Sequence, residues 1–355
     1  MKKKLFLITF LIGFMAIVSI PAYAEKYNGP TIKWRFGLTG VPRIGTFAVD
    51  WFAKEVEKRS AGKMKIKVQY GSTLSTLKQA RDSIKTGVMD GGLVRMTKTS
   101  ETPLGSVIGL PCIGLSDKTK VKDVCDWMSK IYTHPMMVKE WEERWNNKYL
   151  FPVVYAPRAI GSFKKITVFE DFKGIRLRES KIKGEPFKNA GAVLTWIGVG
   201  DLYSALERKM IDAVAFPCPS SMVAYNLQEV LKYVLWHIDI SYSSQAIACN
   251  KKKYDALPAP LRMIIDEVAA EIPEFAEKDT TPRMGEAWET LKSAGVKIIE
   301  ATPEFRSELK KRSKIAHTKW ISSKALKKSG VSEKQAIEAL KMVQDITNEI
   351  QQRYN

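Results

Sequence analysis

Two stretches of this chain, far apart in the sequence, have the same order of polar, acidic and apolar residues. SIKTGVMDGGLV (83–94) aligns without gaps with ALERKMIDAVAF (205–216), and each reads as a helix end, a turn, an aspartate (Asp90 or Asp212) and an apolar strand. The pattern predicts one arrangement used in two α/β lobes, although a chance likeness between two α/β units is the alternative. Because ligands bind just outside the carboxyl ends of strands in α/β sheets, the strands after Asp90 and Asp212 are predicted to end at a cleft between the lobes.

Residues 31–70 predict a β-α-β unit. TIKWRFGL reads as a short apolar strand, and in FAVDWFAKEVEKRSAGK the residues Ala48, Phe52 and Val56 recur at helical spacing. MKIKVQY then alternates apolar and polar residues, which is typical of a strand. Such a unit favours a mostly parallel sheet.

Later segments predict that the lobes are interleaved along the chain. SYSSQAIACN (241–250) reads as a strand that returns to the first lobe, a helix is predicted to begin near Pro258 and Pro260, and residues 303–355 are rich in helical patterns. We expect lobe I to contain residues 25–155 and 244–285, and lobe II to contain residues 156–243 and 286–355.

The first 24 residues have the pattern of a secretory signal peptide. Lys2, Lys3 and Lys4 precede an apolar run over residues 5–20, and Ala22-Tyr23-Ala24 is an A-x-A cleavage site. We therefore expect export to the periplasm with cleavage after Ala24. No cysteine stands at the cleavage point, so a lipid anchor is not expected.

The remaining chain is strongly basic. Without the three lysines of the leader, 54 basic and 38 acidic residues give a net charge of +16. The charges are dispersed and no nucleic-acid-binding module is present, so nucleic acid is not an expected partner. The summed field favours anionic ligands. The four cysteines fit no zinc spacing and are too few for a disulfide scaffold, so we expect buried thiols at Cys112, Cys125, Cys218 and Cys249. A disulfide is the alternative, because the predicted compartment is oxidising.

The sequence carries no recognisable catalytic constellation. G-x-S-x-G, H-E-x-x-H, P-loop and C-x-x-C motifs are all missing. The three histidines, His134, His237 and His317, are scattered and are expected to be structural. The chain is therefore predicted not to be an enzyme and to need no cofactor.

The stretch EDFKGIRLRES (170–180) raises a question about its two arginines. Period-two alternation places Ile175 and Leu177 on one face of a strand and Arg176 and Arg178 on the other. One interpretation is a half-exposed edge strand with a solvated basic side. The other is that an arginine binds an anion, because a planar guanidinium matches a carboxylate with two parallel hydrogen bonds.

A longer stretch that includes these arginines resembles a known family. FKGIRLRES…NAGAVLTWIGVGDLYSALERKMIDAVAFP is similar to the signature stretch of periplasmic solute-binding proteins of TRAP transporters, the dicarboxylate-type, DctP-like family. FGLTG, IKTGVMDGG, GLPCIG, YDALP and ATPEFRSELKK fall in the family's order, so the resemblance covers nearly the whole chain after the leader.

The resemblance implies a fold and a role. The fold is α/β, of the two-lobed periplasmic-binding-protein class (type II-like), with mostly parallel sheets joined by hinge strands and a long helix. The lobes of this family close over a small organic acid, usually a carboxylate, which is delivered to the membrane subunits of a TRAP permease.

The resemblance also implies site residues. Arg178 matches the arginine that pairs bidentately with the ligand carboxylate, whereas Arg176 falls where the family tolerates any basic residue and is expected to be a solvated charge. Arg158, in YAPRAIGSF, matches a second arginine near the carboxylate. Thr39 and Arg95 occupy positions that face the cleft; Arg95 either accepts a second anionic substituent or points to solvent.

Departures from the family pattern bear on the ligand. Phe216 replaces the usual asparagine, and Val199 stands where an aromatic or polar cleft residue is common. Ala215 offers no carboxylate to the sodium ion that the oxo-acid branch holds, so no metal is expected. These residues favour a monocarboxylate with an apolar, aromatic or branched body over a sugar acid or C4 dicarboxylate; the alternative is that Phe216 only packs in the strand core.

Two aromatic residues complete the set. Trp196 is a further candidate for ligand contact, whereas Tyr203 is expected to pack on its helix. The leading function is the binding component of an ion-driven importer. A ligand-presenting partner of a membrane sensor kinase is the alternative, and a secreted enzyme is disfavoured because the catalytic motifs are missing.

Overall fold

The computed structural model describes residues 27–242 and 245–354. The predicted leader, residues 1–24, lies outside the described residues. The strands are β1 (Ile32–Gly37), β2 (Met64–Gln69), β3 (Gly91–Arg95), β4 (Asn147–Val153), β5 (Arg158–Ser162), β6 (Arg176–Arg178), β7 (Val193–Thr195), β8 (Ala213–Pro217), β9 (Tyr233–Trp236), β10 (Gln245–Asn250) and β11 (Lys297–Glu300). The helices are α1 (Phe47–Arg59), α2 (Ala80–Lys85), α3 (Val121–Tyr132), α4 (Pro135–Lys139), α5 (Lys181–Lys188), α6 (Leu202–Glu207), α7 (Ser220–Ala224), α8 (Lys251–Asp255), α9 (Ala259–Ala270), α10 (Ile272–Ser293), α11 (Pro303–Ile321), α12 (Lys324–Lys328) and α13 (Glu333–Gln351).

The strands form two sheets, one for each lobe. The first has the order β2-β1-β3-β10-β4 and the second the order β11-β9-β5-β8-β6-β7. In the first, β1 runs parallel to β2 and β3; in the second, β6 runs parallel to β7 and β8, and β9 to β11. Strands β5 and β10 run antiparallel to both of their neighbours. The predicted β-α-β unit is confirmed as β1, α1 and β2.

Each sheet is covered on both faces. Along β10, Ala246 and Ala248 belong to the core that includes α3, whereas Ile247 and Cys249 belong to the core that includes α1. Strand β8 alternates in the same way between two cores of the second lobe. Because a strand with two buried faces has no polar side to show, these strands read as continuous apolar runs in the sequence.

The two related sequence stretches have the same backbone role. The Asp90 carboxylate accepts a hydrogen bond from the backbone N–H of Arg35 at 2.6 Å, and the Asp90 N–H donates to the Arg35 carbonyl at 3.0 Å. Asp212 and Arg176 exchange the same two bonds, at 2.9 Å each. In each lobe the aspartate thus fixes the start of one strand against its parallel neighbour, which supports the interpretation of a shared arrangement.

The chain crosses between the lobes at several points. It leaves the first sheet after β4 to form β5 in the second, and it returns through β10. The long helix α10 contacts α3 of the first lobe and α7 of the second before β11 joins the second sheet. This interleaving agrees with the two-lobed fold that the sequence predicted.

The C-terminal helix packs on the first lobe. Val343 and Ile350 of α13 lie in one core with Val124 and Ile131 of α3, and the Trp127 indole N–H donates to Thr347 at 2.9 Å. The lobe boundaries given above stay a proposal, and this packing favours adding residues 333–351 to lobe I.

The cysteines and histidines occupy ordinary structural positions. Cys112, Cys125, Cys218 and Cys249 are free thiols. The His134 ring accepts from the N–H of Met136 at the start of α4, His237 bonds to Glu300 at 2.9 Å, and His317 bonds to the Pro111 carbonyl at 2.7 Å.

Among the helices of the described residues, none has the length and apolar composition that a membrane span needs.

Candidate functional site

A cleft of about 490 Å³ lies between the two sheets. It is lined at the carboxyl ends of β3, β6, β7 and β8, together with the first residues of the antiparallel strands β5 and β10. This is the edge at which α/β sheets bind ligands. All the residues predicted from the sequence for the site lie on its wall: Arg178, Arg158, Phe216, Val199, Trp196, Thr39 and Arg95.

Arg178 presents a guanidinium with free donors to this cleft. Its Nε donates to the Ile197 carbonyl at 3.1 Å, and its guanidinium carbon lies 4.2 Å from the centre of the Trp196 ring and 5.7 Å from that of Phe216. No residue of the described chain accepts a hydrogen bond from Nη1 or Nη2. The aromatic contacts therefore orient the side chain while its two terminal nitrogens remain available.

The charge of Arg178 persists although the side chain is only 4% exposed. Burial, and next the nearby Arg158, lower the pKa of the guanidinium to about 10, whereas Glu179 opposes the shift. A pKa of this size leaves the group a cation at neutral pH. An unpaired buried cation is costly, so the site is built for an anion.

Arg158 is already paired within the protein. Its Nη2 donates to the Glu179 carboxylate and to the Ala215 carbonyl, both at 2.6 Å, and its buried Nε has no partner among the described residues. Burial raises the pKa of Glu179, but Arg158 and Lys183 outweigh it, so that this carboxyl stays ionised. Arg158 lies on the cleft wall, and the sequence did not reveal its carboxylate partner.

Lys183 adds a buried amine to the same wall. Its Nζ donates to the Ser241 hydroxyl at 3.0 Å and more weakly to the Tyr242 carbonyl at 3.4 Å. Burial, and next Arg158, lower the pKa of this amine to about 7, although Glu179 opposes them. Sequence reasoning missed Lys183 and Glu179. The only signal was that Glu179 directly follows Arg178 and that Lys183 lies in the first turn of the next helix, α5.

The remaining surface of the second lobe is apolar and aromatic. Phe216 packs among the core residues of β8 and also lines the cleft, so it does not only pack in the strand core. Its ring meets that of Tyr225 edge to face, with 5.8 Å between centroids. Trp196 is 62% exposed at the rim and Val199 lies beside it. A flat or branched apolar group fits against this surface.

The first lobe supplies a more polar wall. Arg95 and Gln245 are register partners on β3 and β10, so their side chains lie on one face of the sheet. Arg95 reaches Glu101 at 3.4 Å, while its Nε and the Gln245 Oε1 are buried without partners in the described structure. Arg43 donates to the carbonyl of Thr39 at 3.0 Å and to the Tyr155 hydroxyl at 2.9 Å, which holds the Thr39 loop at the cleft.

Other residues considered in the sequence lie outside the cleft. Arg176 pairs with Asp212, its Nε and Nη2 at 2.9 and 2.7 Å from the two carboxylate oxygens, and it is not simply solvated. The Tyr203 hydroxyl donates to Glu229 at 2.9 Å.

Across residues 27–242 and 245–354, no group of three or more His, Cys, Asp and Glu side chains is placed to hold a metal ion.

The sequence was compared with family models and with known proteins. A family model, Bacterial extracellular solute-binding protein, family 7 (DctP), matches residues 44–324. A solute-binding protein of Albidiferax ferrireducens is 25% identical over 258 residues, which cover 70% of this chain and 73% of that protein.

Solved structures share the fold. A marine metagenome TRAP solute-binding protein specific for aromatic acid ligands, in complex with metahydroxyphenylacetate, aligns with a TM-score of 0.78 at 18% identity, over 90% of this chain and 99% of that one. A Bordetella pertussis extracytoplasmic solute receptor binding pyroglutamic acid aligns with a TM-score of 0.72 at 19% identity, over 88% and 100%. The match over residues 44–324 shows that the chain belongs to family 7 of the bacterial extracellular solute-binding proteins, the DctP family of TRAP-transporter receptors, whose members are binding proteins and not enzymes.

Proposed function

We propose that this protein is a periplasmic receptor that binds an organic carboxylate between its lobes and delivers it to a TRAP permease. The observation that carries the proposal is Arg178: a buried guanidinium whose two terminal nitrogens lack a partner within the described structure and line an interlobe cleft. A carboxylate fits these two donors with parallel charge-assisted hydrogen bonds. Export follows from the leader predicted at residues 1–24.

The ligand body faces aromatic and apolar side chains. Trp196, Phe216 and Val199 form the wall beside Arg178. A polar tail against this wall would lose hydrogen bonds to water at about 1–3 kcal/mol for each unsatisfied group. We therefore favour an acid with an aromatic or branched apolar body, and the aromatic-acid specificity of the marine metagenome protein supports this choice.

Binding is coupled to closure of the two lobes. The cleft takes Arg178 from the second lobe and Thr39, Arg95 and Gln245 from the first, so a ligand that contacts both walls stabilises the closed arrangement. The segment that joins β4 to β5 is the proposed hinge.

A thermal-shift panel tests the proposal. The panel holds phenylacetate, 3-hydroxyphenylacetate, benzoate, 2-oxo-4-methylpentanoate, pyroglutamate, succinate and galacturonate. We expect aromatic or branched acids to raise the melting temperature of the wild type most. Strong stabilisation by succinate or galacturonate alone would reject the apolar body, and no stabilisation by any acid would count against carboxylate binding.

Arg178→Ala is the decisive variant, with Arg176→Ala as its matched control on the same strand. Removing one partner of a buried hydrogen-bonded charge pair costs about 2–5 kcal/mol, which corresponds to roughly 30- to 4,000-fold in Kd. Arg176 lies outside the cleft, so Arg176→Ala is expected to bind like the wild type. Near-wild-type affinity in Arg178→Ala, measured by calorimetry with the best acid of the panel, would reject the assignment.

A further inference from the structure

Lys183 is a buried amine without a carboxylate partner. It lies in the first turn of α5 and is 6% exposed, and its Nζ donates only to neutral oxygens, those of Ser241 and Tyr242. Within the described residues, no carboxylate oxygen approaches this nitrogen to 4.0 Å, the limit for an ion pair.

The charges on this wall of the cleft do not balance. Arg158, Arg178 and Lys183 face a single carboxylate, that of Glu179, and all four side chains belong to residues less than 9% exposed. Glu179 is bonded to Arg158, which leaves Arg178 and Lys183 without an anion. One ligand carboxylate on Arg178 satisfies only the first of them.

The other groups around Lys183 do not supply the missing charge. The Tyr242 hydroxyl donates to the Ser116 carbonyl at 3.1 Å, and Glu185, on the same helix, pairs with Lys319 of α11. Burial, and next Arg158, lower the pKa of Lys183, and Glu179 opposes them only in part. The amine therefore loses its proton readily when the cleft holds no second anion.

We propose that Lys183 selects the ligand by charge: it binds a second anionic group of the ligand and takes up a proton from solvent as it does so. An acid with a single carboxylate binds to Arg178 and leaves the protonation of Lys183 unchanged. The inference rests on the proposed function, because it uses the same cleft. It predicts that the preference for diacids over monoacids depends on pH, and that Lys183 is the source of that dependence.

Matched acid pairs test this selection. Calorimetry with phenylacetate against homophthalate, and butyrate against succinate, is carried out at pH 6.5 and pH 8.5. In the wild type, the ratio of diacid to monoacid affinity is expected to fall about tenfold as the pH rises, because the ammonium form of the lysine is lost. In Lys183→Met the ratio is expected to be the same at both pH values, while Lys181→Met, exposed on the same helix, behaves like the wild type.

Proton uptake gives a direct readout. At pH 8.0, the enthalpy of homophthalate binding to the wild type is expected to differ between phosphate and Tris buffers, and this difference is expected to vanish in Lys183→Met. A Lys183→Met variant that keeps the wild-type pH dependence would overturn the proposal. Arg178→Ala tests only the proposed function, which near-wild-type acid affinity in that variant would reject. An unchanged pH dependence in Lys183→Met would reject only the selection by Lys183, so the two failures are distinguishable.

A measurement without any acid decides the case if no pair binds. A lysine amine whose pKa is lowered in the folded state destabilises the protein most below that folded-state pKa. The penalty shrinks as the pH rises and disappears above the pKa of the same lysine in the unfolded chain. Lys183→Met should therefore melt at a higher temperature than the wild type at pH 6 and at the same temperature near pH 10, whereas Lys181→Met shows no such difference. Equal melting temperatures for all three at pH 6 would contradict an unbalanced charge at this position.

Discussion

Replacing Glu179 with glutamine perturbs the one carboxylate on the cationic wall of the cleft. Its Oε2 accepts from Arg158 and its Oε1 from the backbone N–H of Ser180, both at 2.6 Å, and the residue is 2% exposed. Glutamine preserves the shape and one acceptor oxygen but removes the charge. Arg158, Arg178 and Lys183 then lie in one buried region without an anion.

Removing one partner of a buried ion pair typically costs about 3–5 kcal/mol. We expect Glu179→Gln to lose stability in this range at pH 7, a drop of on the order of 10 °C in melting temperature. The loss depends on pH in a defined direction. Because the folded-state pKa of Glu179 is lowered, its contribution is complete above the unfolded-state value near 4.5 and is lost as the pH falls through the folded-state pKa. The gap between wild type and variant should therefore narrow in acid.

Thermal unfolding followed by circular dichroism at pH 7 and pH 3.5 measures this effect. The matched control is Glu185→Gln on α5, which breaks a pair whose Lys319 side chain is 60% exposed and whose Glu185 side chain is 13% exposed. This change should cost less than Glu179→Gln, because water screens the charge of the exposed lysine. Adding Lys183→Met to Glu179→Gln should recover part of the stability, because a buried amine that is costly to charge is removed. If Glu179→Gln melts within 2 °C of Glu185→Gln at pH 7, the electrostatic description of this wall is wrong.

Three further outcomes follow from the structure. Asp90→Ala and Asp212→Ala each leave a strand N–H without its carboxylate, so each should lower stability by about 1–2 kcal/mol in urea titrations; losses below 0.5 kcal/mol in both would remove the shared structural role. Phe216→Leu should weaken phenylacetate binding about tenfold and leave succinate binding unchanged, because an aromatic contact of roughly 1.5 kcal/mol is lost; equal effects on both acids in calorimetry would contradict a ring contact. Dithiothreitol should leave the melting temperature unchanged because the cysteines are free, whereas a clear drop would reveal a disulfide.

Much of the fold could be predicted from the sequence because it rests on local patterns. The alternation in MKIKVQY and the helical spacing of Ala48, Phe52 and Val56 each identify one element. The repeated aspartates marked strand starts, and strand ends at the opposite edge of each sheet face the cleft. The family's motif placed Arg178, Phe216 and the other predicted site residues near such strand ends, and in the structure these residues line one cleft.

What the sequence could not reveal was the pairing of charges across elements. Arg158 begins β5, whereas Glu179 lies between β6 and α5. Only the folded structure shows that the Arg158 Nη2 and the Glu179 Oε2 are 2.6 Å apart. The same holds for Lys183. In the sequence it reads as an exposed lysine at the start of a charged helix, but in the structure its amine is buried and donates to Ser241 and Tyr242. Similarly, the polar surface of α13 gave no indication of which lobe its apolar face contacts.

The central claim is that Arg178 holds the ligand carboxylate, and a crystal structure of the protein with the best-binding acid of the panel tests it most directly. We predict that Nη1 and Nη2 each donate to one oxygen of a single carboxylate at about 2.8 Å, with the ligand body against Trp196 and Phe216. A carboxylate held by other residues, with the terminal nitrogens of Arg178 bonded to water, would contradict this account.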